Sequence, residues 1–163
     1  MEPETDTPNR GEQAKKILED ILSFLPVETD VVFQDEEERV ILNIETADHQ
    51  ILIGKRGQTL DAIQFIVSRI VGRTHPGSKR IVVDCEQYRE RRAEQLRRMA
   101  HQVAERVERE KIPYAFDTSL TPAERRIIHM ELREQPGIFT QSEGENDRRR
   151  LVVMPQLGGD DDE

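Results

Sequence analysis

Aromatic residues make up only 4% of this 163-residue chain and tryptophan is absent, so a ligand that depends on stacked aromatic platforms has few to use. Cysteine is nearly missing as well. Cys85 alone cannot close an intramolecular disulfide and has no companions for a zinc site, which fits a reducing compartment and, by its neighbours, a strand position. No apolar run is long enough to span a bilayer and the N-terminus carries no signal-peptide pattern, so the chain reads as cytoplasmic. The Gly-x-x-x-x-Gly-Lys-Ser/Thr loop of the P-loop nucleotide-binding proteins is missing. No convincing nucleophile stands out, no carboxylates pair at an informative spacing, and His49, His75, His101 and His129 are not grouped as metal ligands. These absences point away from an enzyme, a metal site and a cofactor.

What the chain has is charge: 35% of its residues are charged, and the formal net charge is -9. Spread evenly, that balance would argue against nucleic acid, but what matters to a polyanion is the local field. Residues 1–50 hold 4 Lys+Arg against 14 Asp+Glu, residues 51–112 hold 14 against 8, and residues 113–163 hold 6 against 11. The acidity collects in the tails and in the turn Asp35-Glu36-Glu37-Glu38, leaving a basic middle.

In that middle, Ile51-Leu52-Ile53-Gly54-Lys55-Arg56-Gly57-Gln58-Thr59-Leu60 places two glycines around two cations. Without a Cβ, Gly54 and Gly57 let a phosphate or sugar approach the main chain. Leu60, Ile63, Val67, Ile70 and Val71 follow at helical spacing, so the loop opens a buried helix whose N-terminal amides favour an anion. Upstream, residues 1–10 read as a disordered acidic tail. Ala14, Ile17, Leu18, Ile21, Leu22 and Leu25 form a helical stripe stopped by Pro26. Val31-Val32-Phe33 and Val40-Ile41-Leu42-Asn43-Ile44 read as an antiparallel hairpin. After the loop and its helix, Thr74-His75-Pro76-Gly77-Ser78 breaks the chain before the strand Ile81-Val82-Val83. The order is α-β-β-α-α-β over residues 11–85.

From about Glu86 to Lys111 the pattern predicts a long helix burying Ala93, Leu96, Met99, Ala100, Val103, Ala104 and Val107. Arg91, Arg98 and Arg109 lie opposite that stripe, while Arg89, Arg92, Arg97 and Arg106 flank it among glutamates. An ion-paired surface explains these arginines at least as well as direct binding. Tyr114-Ala115-Phe116 is a short strand candidate. Thr121-Pro122-Ala123-Glu124 then supplies an N-cap, a proline at N1 and a capping-box glutamate. In the helix they open, Ala123, Ile127, Ile128 and Leu132 are expected inward and Arg125, Arg126, His129 and Arg133 outward. Ile138-Phe139-Thr140 and Arg150-Leu151-Val152-Val153-Met154 are further strands around the turn Ser142-Glu143-Gly144-Glu145-Asn146-Asp147 and the triplet Arg148-Arg149-Arg150. Residues 156–163 read as a second disordered acidic tail.

The Ile-Gly-x-x-Gly-x-x-Leu pattern at Ile53–Leu60, within the α-β-β-α-α-β order, resembles the type II KH nucleic-acid-binding domain. The resemblance implies a clamp on about four nucleotides of backbone, formed by Gly54, Lys55, Arg56, Gly57 and Gln58. Residues 86–155, with Arg125-Arg126-Ile127-Ile128-His129 in a capped helix behind a long arginine-rich one, resemble the Arg-x-x-x-His domain. That implies contacts to single-stranded nucleic acid from Arg125, Arg126 and His129, joined by Arg148 and Arg149.

The two domains in this order resemble the bacterial Jag family, also called KhpB or SpoIIIJ-associated proteins, without the extra N-terminal domain many members carry. The expected fold class is α+β in two small domains. The family implies a cytoplasmic binder of single-stranded RNA, with single-stranded DNA left open. It also implies a regulator or RNA chaperone linked to cell division or envelope growth, a small single-KH protein or a second copy as partner, and no membrane insertion. Two alternatives stand beside it: a scaffold that dimerises through the KH domain, and a phosphoryl-transfer or nuclease enzyme using His129.

Overall fold

A computed structural model describes residues 10–74 and 79–156, which form two compact units, Met1–Arg89 and Glu90–Glu163. The break expected at His75–Ser78 and most of both expected tails lie outside the described residues. Two tail residues are ordered, contrary to expectation. Arg10 starts the first helix, and the Gln156 amide donates to the Gly137 carbonyl at 2.8 Å.

The first unit runs α1 (Arg10–Leu22), β1 (Asp30–Asp35), β2 (Arg39–Glu45), α2 (His49–Ile53), a 3-10 turn at Lys55–Gly57, α3 (Gln58–Thr74) and β3 (Arg80–Cys85). The expected hairpin is present: β1 pairs antiparallel with β2, with Phe33 opposite Leu42. β3 joins the other side of β2 in parallel, which requires a crossover, and α2, the glycine turn and α3 supply it. Period-2 alternation sends Val40, Leu42 and Ile44 of β2 and Ile81, Val83 and Cys85 of β3 into one core. Leu18 and Leu22 of α1 and Leu60 and Val67 of α3 close it from the helical side. Ile70, expected in that core, is 38% exposed. It sits at the margin of the stripe, where Val71 takes the inward position.

The second unit contains α4 (Tyr88–Glu110), β4 (Tyr114–Ala115), α5 (Pro122–Leu132), β5 (Ile138–Glu143), a 3-10 turn at Asn146–Arg148 and β6 (Arg150–Pro155). Its antiparallel sheet has the order β4-β6-β5. Central β6 buries Leu151, Val152 and Val153 consecutively. Leu96, Ala100 and Val107 of α4 and Ile128 and Leu132 of α5 share the core with Leu151 and Val153.

Three expectations change here. α4 begins at Tyr88 rather than Glu86, because Glu86 and Gln87 take positive φ values of 50° and 55°, which a right-handed helix does not admit. Met99 is 38% exposed. Ser142 and Glu143 belong to β5 rather than to the turn, because they pair with Leu151 and Arg150.

Candidate nucleic-acid interface

In the first unit, α2 ends where the Gly54 amide donates to the Gln50 carbonyl at 2.9 Å. Gly54 then turns at φ 68° and ψ −169°, Arg56 is left-handed at φ 55° and ψ 31°, and Gly57 follows at φ 84°. Both glycines are required by their surroundings as well as by φ. A Cβ on Gly57 would stand 2.8 Å from the Tyr88 ring, and one on Gly54 would collide with the Thr59 side chain. The turn leads directly into α3 at Gln58, so the amides of the first turn of a 17-residue helix stand beside the two cations. Lys55 and Gln58 are exposed, whereas Arg56 is half-buried, so the two cations are not equivalent.

In the second unit, α5 is fixed at its start by a complete capping box. The Glu124 amide donates to the Thr121 hydroxyl oxygen at 3.2 Å, and the Thr121 amide donates to a Glu124 carboxylate oxygen at 2.8 Å. The other Glu124 oxygen accepts from Arg92 Nε of α4 at 2.7 Å. Glu124 is therefore buried, and Ala123, expected inward, is exposed. The ion pair with Arg92 has drawn the carboxylate into the place the apolar pattern gave to its neighbour.

With that end fixed, one turn of α5 presents Arg125, Arg126 and His129. Arg125 donates from Nη1 to the Leu120 carbonyl at 2.7 Å, which holds its guanidinium against the loop before the helix. His129 Nδ1 lies 2.5 Å from the Thr140 hydroxyl oxygen of β5, which sets the ring's orientation. Pro122, Arg125, Arg126, His129, Ser142 and Arg149 line an open depression of about 280 Å³.

The fold thus brings together four of the residues singled out in this half, Arg125, Arg126, His129 and Arg149. Arg148 and Arg133 are exposed but do not line the depression. Gly54, Lys55, Arg56, Gly57 and Gln58 form their own site in the first unit. Sequence reasoning missed Ser142 and Thr140, which reach the site only through β5–β6 pairing, and Arg92, whose partner is 32 residues away.

Among the described residues no carboxylate lines the depression, so its lining charges are of one sign and favour an anion. Most arginines of α4 are instead engaged with acids: Arg89 with Asp61, Arg92 with Glu124, Arg97 with Glu90 and Glu131, Arg98 with Glu94, and Arg106 and Arg109 with Glu110. The ion-paired reading of that helix holds for these six. Among the described residues no cluster of three or more His, Cys, Asp or Glu could hold a metal, and no helix is long and apolar enough to cross a membrane.

Comparison with known proteins adds independent findings. Residues 12–84 match the profile described as KhpA/KhpB, KH domain, and residues 94–155 match the profile of the Arg-x-x-x-His domain. The RNA-binding protein KhpB of Clostridium symbiosum is 35% identical over 144 residues, 87% of this chain and 64% of that protein. The RNA-binding protein KhpB of Bacillus subtilis is 34% identical over 145 residues, 87% of this chain and 69% of that protein. The namesake of Lactiplantibacillus plantarum is 36% identical over 115 residues, 69% of this chain and 34% of that protein. The chain thus spans about two thirds or less of these relatives.

Proposed function

Because the chain belongs to the KhpB family, we propose that it binds single-stranded RNA at two sites, one in each unit. At the first, Gly54, Lys55, Arg56, Gly57 and Gln58 clamp the backbone. At the second, Arg125, Arg126, His129 and Arg149 hold phosphate, and Arg148 adds charge at the edge. The observation that carries this reading is the depression on α5, walled by three arginines and a histidine with no carboxylate among them. The names of the relatives support RNA as the ligand, and with it a binding protein rather than an enzyme. Its working role would be that of a cytoplasmic regulator or RNA chaperone serving cell division or envelope growth.

A second reading, association through the KH unit with a small single-KH protein or another copy, is favoured by the outer face of α3. Phe65 and Ile66 are 60% and 46% exposed, and Arg69 lies over the Phe65 ring at 5.2 Å. Gly72 on the same helix has open space where a Cβ would stand, so nothing in its own unit demands a glycine there.

Ultraviolet crosslinking of the purified chain to a single-stranded RNA, followed by peptide sequencing, tests the RNA reading. Crosslinks should fall within 54–60 and within 122–130 or 140–150. Crosslinks confined to other segments would refute the assignment.

A further inference from the structure

α5 has a second depression on its other flank. Arg97, Ala123, Arg126, Ile127, Met130 and Glu131 line an open groove of about 470 Å³. Ala123 is exposed, Met130 is 50% exposed and Ile127 is half-buried, so an apolar strip on a charged helix faces solvent. Its rim is held in place. Arg97 reaches Glu90 at 3.1 Å and Glu131 at 3.8 Å, and His101 Nε2 lies 2.8 Å from Glu131.

The two depressions share one residue, Arg126, which stands on the ridge of the helix between them. Their chemistry differs. The first is cationic and suits phosphate. The second combines three apolar side chains with a carboxylate, which repels phosphate and suits an uncharged, flat, partly polar group. The two lie on opposite flanks of one helix about 10 Å wide, a short reach for a strand whose backbone sits in the first.

We propose that the Ala123–Ile127–Met130 groove is a base-binding subsite, in which a base of the bound strand lies on the apolar strip beside the Arg126 guanidinium while its phosphate sits among Arg125, His129 and Arg149. This rests on the reading of the α5 depression as a phosphate site. An arginine plane can serve as the stacking surface in place of an aromatic ring, as suits a chain with so few aromatics. The Glu131 carboxylate, facing the groove, is an acceptor for an amino group on the base edge.

The test uses the full chain, a labelled single-stranded RNA and the same strand with abasic positions. The variants are Met130→Ser and Ala123→Leu, both at exposed positions, with circular dichroism to confirm folding. Removing the Met130 surface, or filling the groove from Ala123, should weaken binding of the intact strand about fivefold and leave binding of the abasic strand unchanged. Equal loss on both strands, or no loss on either, overturns the subsite. The two readings fail differently. If Arg126→Ala with Arg149→Ala leaves the abasic strand's affinity unchanged, the phosphate site falls and the base subsite with it. If that variant weakens abasic binding while Met130→Ser and Ala123→Leu change nothing, only the base subsite falls.

Discussion

Lys55 and Arg56 are neighbours in a glycine-bounded turn, yet only Lys55 is fully exposed, while Arg56 is half-buried in a left-handed conformation. Lys55→Asp should therefore leave thermal stability nearly unchanged and weaken single-stranded RNA binding. The slope of log affinity against log salt should fall by about 0.7 for the one lost phosphate contact. Fluorescence anisotropy at several salt concentrations measures both. Gly57→Ala should behave in the opposite way. Its φ of 84° and the Tyr88 ring 2.8 Å from where the new Cβ would stand make it costly by about 1–3 kcal/mol, readable as a lower urea midpoint. The glycine and cation pattern was legible in the sequence because both signals are local. The unequal burial of Lys55 and Arg56 was not, since it depends on how α2, α3 and Tyr88 pack. The same holds for Ala123 and Glu124, whose exchange of inward and outward places follows from an arginine on another helix.

At the level of elements, hydrophobic period was enough to find α1, the β1–β2 hairpin, α3 and α4, and capping chemistry alone located the start of α5. What it could not reach were features set by pairing partners. β5 runs on through Ser142 and Glu143 because β6 offers Leu151 and Arg150 opposite them, and that extension is what brings Ser142 into the candidate site. Since α5 carries the site in its first two turns, its cap has a functional consequence. Thr121→Ala should cost about 1 kcal/mol in unfolding free energy and should also weaken RNA binding, whereas Thr121→Ser should restore both. Glu124→Ala removes the cap partner and leaves the mostly buried Arg92 guanidinium without its carboxylate, so it should cost more, about 3 kcal/mol. Urea titrations of the three variants rank these effects; a Glu124→Ala variant as stable as the parent would contradict the role given to the pair.

For the whole chain, the net charge of -9 misleads about function while its distribution informs. The surplus of acid lies in the termini and the β1–β2 turn, and cations gather at the glycine loop and around the α5 depression. Two sites on one chain also act together. A strand long enough to reach both should bind more tightly than a short one through effective concentration. Lys55→Asp and a variant in the α5 depression should combine with losses that add in free energy on short strands, because the residues lie in separate units with no shared partners.

The most direct test of the central claim is the salt dependence of single-stranded RNA affinity for the full chain and for Arg126→Ala with Arg149→Ala. Both side chains are exposed, so the fold should survive. If the α5 depression holds phosphate, affinity should fall at least about tenfold and the log–log slope should flatten by about 1.4, two contacts at roughly 0.7 each. An unchanged affinity and slope in a protein with an intact circular dichroism spectrum would contradict it.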